Sequence, residues 1–141
     1  MKKLILLFLS LLFLLIACSQ INVSEIRYAE INNQKIPLEL ALTSEQQTKG
    51  LMFVKNLTGG MLFIYDDEAQ RNFWMKNTVV PLDMIFIDKN YRIATIHNAL
   101  PCKAEPCKIY ASPKAMYVLE VNGNFTVKNN INVGDKVLFA K

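Results

Sequence analysis

Leu4 to Ile16 is an apolar run broken only by Ser10, with Lys2 and Lys3 ahead of it and Ala17-Cys18 behind. A stretch that apolar on all sides has no place on the half-wet strands of a small globular domain. As a helix, the 14 residues from Leu4 to Ala17 would span about 21 Å. A bilayer core of about 30 Å needs about 20 residues. The run is therefore too short to span, and it suits the apolar core of a secretory leader behind a short basic start. We read residues 1–17 as a signal peptide. That leaves 124 of the 141 residues to fold, from Cys18 to Lys141. This length fits one domain with one hydrophobic core.

The leader ends in Leu15-Ile16-Ala17-Cys18, which resembles the lipobox of bacterial lipoproteins. A small residue at 17 admits the peptidase, and the Cys18 thiol would receive the lipid. Each buried methylene of such an anchor adds about 0.8 kcal/mol, so two or three acyl chains hold durably. The resemblance implies a protein on the outer side of the cytoplasmic membrane or in the outer membrane. Ser19 differs from the aspartate associated with inner-membrane retention, which favours the outer membrane. Residues 18–24 would be a lipidated tether, and 25–141 a single β-rich domain.

Sixteen Lys and Arg against twelve Asp and Glu give +4, and +2 once Lys2 and Lys3 leave with the leader. No basic block stands out in the rest, so nucleic acid is not an expected partner.

Short alternating runs dominate the mature part. Ile26, Tyr28 and Glu30 alternate with polar or small neighbours, and Ile36, Leu38, Leu40 and Leu42 follow at period two. With Asn32-Asn33 between them this predicts a hairpin, and Pro37 suggests that its strand lies at an edge or begins irregularly. Thr43 with Gln46 is a capping-box pattern opening a short helix from Ser44 to about Phe53. Further strands are expected at Met61–Tyr65, Phe73–Asn77, Leu82–Ile87, Tyr91–His97, Met116–Val121 and Lys136–Phe139. Asp66-Asp67-Glu68 reads as a polar loop, and Asn98 to Pro113 as a long one. The fold class expected is mostly β: a single-domain sandwich or barrel-like fold with one short helix.

Several motifs make a more specific pattern. They are Thr43-x-Glu45-Gln46-x-x-x-Gly50-Leu51-Met52, Gly60-Met61-Leu62-Phe63, Phe73-Trp74-Met75-Lys76-Asn77-Thr78-x-x-Pro81-Leu82-Asp83, Val118-Leu119-Glu120, and Val133-Gly134-Asp135-Lys136-Val137. Together, over about Ile31 to Phe139, they resemble the mostly exported family known as domain of unknown function 192. The resemblance implies a compact, mostly β, sandwich-like domain and no established activity.

Four groups of residues could carry chemistry. If Phe73–Asn77 and Leu82–Ile87 form a hairpin centred between Val79 and Val80, Lys76 faces Asp83 and Met75 faces Met84. Lys76 and Asp83 are then either a structural cross-strand pair or a polar site. In the second reading Asp83 is acceptor or base, Lys76 binds an anion, Asn77 orients, and Thr78 and Glu45 lie nearby. Trp74, the one tryptophan, either packs under the long loop or offers a stacking surface for a sugar or peptide. Cys102 and Cys107 remain as the thiols of the exported domain and are expected to form a disulfide. A soft-metal site from these cysteines, His97 and some of Met52, Met61, Met75 and Met84 is conceivable, but methionines inside apolar runs are ordinarily gap-filling core residues. No metal site is therefore assigned.

Phosphate-loop, H-E-x-x-H and G-x-S-x-G motifs are missing, and no cofactor is expected. The reading that follows is a lipid-anchored, non-catalytic envelope module that binds a glycan, peptide or protein. A small hydrolase or lyase using Asp83 and Lys76 is the alternative, and metal handling a further one.

Overall fold

The computed structural model describes residues 22–141. The leader, Cys18 and the first half of the tether lie outside the described residues. From Val23–Glu25, a single 3-10 turn, the chain enters β1 (Tyr28–Ile31), β2 (Gln34–Ala41), α1 (Ser44–Lys49), β3 (Gly60–Trp74), β4 (Leu82–Ile87), β5 (Ile93–Ala99), β6 (Ile109–Asn122), α2 (Phe125–Lys128) and β7 (Leu138–Ala140). The seven strands form one sheet in the order β5-β4-β6-β3-β2-β1-β7. The fold is mostly β, as expected, but with two short α-helices rather than one.

The sheet curls into a half-barrel. Its two edge strands approach each other at one end, where the Ile93 N–H donates to the Asp135 carbonyl and the Val137 N–H to that of Tyr91. Tyr91 stacks on Tyr117 across this seam. Ile31, Leu62, Ile85, Leu119 and Val121 belong to the apolar cluster on one face. Phe63, Met75, Met84, Phe86 and Val118 belong to that on the other. β4 is buried at all six positions, because both its faces and both its edges are covered.

Local chemistry explains the elements. Asn32 and Asn33 both take positive φ, 48° and 64°, and join β1 to β2 in the tight turn that their short polar side chains tolerate. Thr43 caps α1: its hydroxyl accepts from the Gln46 N–H at 3.2 Å, and Gln46 Oε1 accepts from the Thr43 N–H at 3.0 Å. The helix stops at Gly50 (φ 45°), short of the expected Phe53.

Three expectations change. β2 lies between β1 and β3 and not at an edge, which leaves the irregular start as the reading of Pro37. Pro37 is accommodated because the ladder with β3 starts one residue later, at Leu38 and Gly60. Asp66-Asp67-Glu68 is not a loop between strands. It falls inside β3, where the register against β6 shifts between Ile64 and Ala69. The hairpin of Phe73–Asn77 with Leu82–Ile87 does not form. β3 and β4 each pair with β6, which lies between them. β6 is buried from Tyr117 to Val121, and this central run serves both neighbours.

Candidate functional site

The separation of β3 from β4 takes apart the pair expected from the sequence. Asp83 does not face Lys76. It is fully buried and accepts four hydrogen bonds. Oδ1 receives Asn98 Nδ2 at 2.7 Å and the Asn124 N–H at 3.0 Å; Oδ2 receives the Thr126 N–H at 2.8 Å and hydroxyl at 2.7 Å. A carboxylate so fully used pins α2 onto β4 and has no free lone pair pointing at solvent.

Lys76, Trp74, Thr78 and Met52 are brought together elsewhere. They border a small cavity of about 40 Å³ between α1 and the end of β3, with Gln47, Thr48, Lys49, Leu51, Phe63 and Phe73. Gln47 fixes the helix side of this cavity. Its Nε2 donates to the Ala41 carbonyl at 3.3 Å and to that of Ile64 at 3.0 Å. Asn77 fixes the turn after α1. With φ at 56°, it accepts from the Phe53 N–H at 2.9 Å through its carbonyl, and its Nδ2 reaches Met52 Sδ at 3.8 Å. Asn77 thus shapes the wall and does not line the cavity. Thr78 is buried. Glu45 is exposed in the first turn of α1 and lies outside the cavity.

The floor holds a residue that sequence reasoning passed over. Glu120, on β6, sits in register between Met61 of β3 and Met84 of β4. It is 4% exposed and lines the cavity. Among the described residues no hydrogen bond or ion pair reaches its carboxyl group, and burial alone pushes its pKa up to about 8. At neutral pH it is mostly the neutral acid. Its signal in the sequence was an acid inside the apolar run Met116–Val121.

Trp74 stands at the rim, 45% exposed, so it does not pack beneath the loop. On its other side lies a wider hollow of about 330 Å³ bordered by Ser44, Gln47, Thr48, Tyr65, Asn72, Phe73 and Trp74. The two hollows share the wall made by Gln47, Thr48, Phe73 and Trp74. Phe73 is held beneath by edge-to-face contacts with Phe63 and Phe86 at 4.9 and 5.6 Å. Lys76 Nζ lies 5.3 Å from the Trp74 ring and 3.0 Å from Glu105 Oε1.

Glu105 belongs to the turn closed by the disulfide between Cys102 and Cys107, whose Cα atoms are 5.5 Å apart. The disulfide expected from the sequence is present, and its oxidised sulfurs are poor metal ligands. His97 gives its Nε2 to the Ala111 carbonyl at 2.8 Å, while Met75 and Met84 are core residues. Among the described residues no group of three or more His, Cys, Asp or Glu could hold a metal ion.

Comparisons with known proteins agree with this architecture. A structure of a protein of unknown function from Novosphingobium aromaticivorans DSM 12444 is 38% identical, with a TM-score of 0.71, over 80% of this chain and 84% of that one. A “putative transcription regulator” from Sinorhizobium meliloti 1021 is 33% identical, also with a TM-score of 0.71, over 79% of this chain and 90% of that one. No curated protein matches. The family profile DUF192, described as uncharacterized ACR, matches residues 27–139. The chain belongs to the DUF192 family.

Proposed function

We propose that this chain is a non-catalytic binding module, anchored to the cell envelope through lipid on Cys18, whose ligand seats one group in the cavity above Glu120. The observation that carries the reading is the Glu120 carboxyl itself. A carboxyl packed to 4% exposure is costly, and since no fully buried side-chain N or O among the described residues lacks a partner, its oxygens stay open to the cavity that it lines. Here the group faces a cavity bordered by an exposed tryptophan, two threonines and a glutamine. Apolar walls with a few convergent polar groups are the usual composition of a small-ligand site. The wider hollow across Trp74 gives the rest of an extended ligand, such as a glycan strand or peptide, a surface to lie on. The envelope location is supported by the leader and by the lipobox pattern ending at Cys18.

The test is thermal unfolding of the full-length chain in detergent across a panel of glycan fragments and peptides. A ligand at a hundredfold excess over its dissociation constant stabilises by about 2.7 kcal/mol. The expected result is a rise in Tm that Trp74→Ala abolishes. A panel that leaves Tm unmoved, or a shift indifferent to Trp74, would defeat the reading. Turnover of a panel member would replace it with an enzyme, with Glu120 rather than Asp83 as its acid.

A further inference from the structure

The cavity beneath Trp74 has a definite charge pattern. Lys49 and Lys76 border it together with Glu120. Neither lysine forms an ion pair with Glu120 among the described residues. Across β6, neighbouring Met61 and Met84 are apolar, and Asp83 is occupied with α2 on the other face. Tyr65 is the remaining titratable group whose charge couples to Glu120.

Lys76 also shows which ligand chemistry it accepts. A carboxylate already sits on it: Glu105 Oε1 lies 3.0 Å from Nζ, while Glu105 Oε2 accepts from the Cys107 N–H at 3.1 Å. Both partners of this ion pair are exposed, and a pair so open to water is easily exchanged. A ligand ammonium would have to pass two lysines to reach the floor. A neutral hydroxyl would leave both cations unused. A carboxylate can meet both Glu120 and Lys76.

We propose that this cavity is a carboxylate-binding site, in which the Glu120 carboxyl hydrogen-bonds the ligand carboxylate and Lys76 exchanges Glu105 for that carboxylate at the mouth. The proton stays on the Glu120–ligand pair, as in other acid–carboxylate dyads. This deepens the binding reading above and rests on it. The carboxylate could belong to a small free acid, to an acidic sugar, or to a peptide terminus.

Titration calorimetry on the full-length chain in detergent, between pH 6 and 9, separates these. The probes are matched pairs: propionate and propionamide, N-acetylmuramic acid and N-acetylglucosamine, Ala-Ala and its amide. In at least one pair the acid should bind at least tenfold more tightly than its neutral partner at pH 6, and that pair identifies the source. Its affinity should fall about tenfold per pH unit once Glu120 ionises, above about pH 8. Glu120→Gln keeps a donor without a titrating proton, so binding should persist and the pH step vanish. Lys76→Met should weaken binding on the order of tenfold and keep the step. Equal binding of acid and neutral partners, affinity that rises with pH, or a step that survives Glu120→Gln would each overturn the proposal. If a neutral probe binds and Trp74→Ala abolishes it, the carboxylate inference falls while the binding module stands. If no probe binds and the wider panel leaves Tm unmoved, both fall.

Discussion

Asp83 and Thr126 are joined by two hydrogen bonds, with Oδ2 accepting from the Thr126 N–H at 2.8 Å and from its hydroxyl at 2.7 Å. The contact ties the most deeply buried strand to α2 across 43 positions of sequence. Both residues are buried, so water cannot replace what a substitution removes. Asp83→Asn puts an N–H₂ among four donors and should cost about 3 kcal/mol. Thr126→Val removes one donor and should cost about 1–2 kcal/mol. Urea unfolding measures both. An unchanged midpoint in Asp83→Asn would show that the carboxylate is not the structural anchor described.

Glu120 makes stability depend on pH in a direction opposite to that of an ordinary surface carboxylate. Its pKa is raised by burial from 4.5 to about 8, so between those values the folded chain holds a proton that the unfolded chain releases. This contribution is fully present below about pH 4.5 and is lost as pH rises toward 8. The slope should approach about 1 kcal/mol per pH unit at its steepest. Glu120→Gln should flatten this segment of the stability curve. Chemical unfolding at several pH values between 5 and 9 would show it, and identical slopes in the two proteins would contradict the assignment.

The features legible in the sequence were those set by neighbours along the chain. Asn32-Asn33 announced a turn, Thr43 and Gln46 a cap, and Cys102 with Cys107 a short cross-link, because each rests on contacts a few residues apart. The Lys76–Asp83 pairing failed because it assumed that consecutive strands pair. Here β6 returns from 35 residues further on and separates them, for Leu82 sits opposite Asn122 and Trp74 opposite Ile109. Lys76 and Trp74 stood out in the sequence as candidates by their chemistry, and in the structure both border one cavity with Thr78. Glu120 was invisible as a site because its meaning depends on burial, which arises only when Met61, Met84 and α1 close around it.

Gly59 offers a test of the chain crossing that precedes β3. Its φ is +86°, and a Cβ built there would collide with the Pro37 carbonyl oxygen. Both the backbone conformation and the space require glycine. Gly59→Ala should destabilise the fold by about 2 kcal/mol or more, read as a fall in Tm. By contrast, Gly134 has positive φ but nothing within 4 Å, so Gly134→Ala should cost about 1 kcal/mol, from backbone strain alone. Similar losses at the two positions would mean that the Pro37 contact is unimportant.

Glu105, in the turn closed by Cys102 and Cys107, reaches Lys76 at the border of the cavity. Closing a loop of about six residues stabilises by about 2 kcal/mol in the chain-entropy account. The same closure holds Glu105 where Lys76 can reach it, and that contact keeps the Glu105 carboxyl below its ordinary pKa. Lys76 in turn lies over Trp74, the one tryptophan of the chain. Replacing both Cys102 and Cys107 by Ser should therefore do two things at once: lower stability by up to about 2 kcal/mol, and alter Trp74 fluorescence in the folded state as Lys76 loses its partner. Glu105→Gln should reproduce the spectral change with little loss of stability, because the pair is exposed. A double variant that unfolds earlier yet keeps the native Trp74 spectrum would show that the cross-link stiffens its own loop and leaves the site untouched.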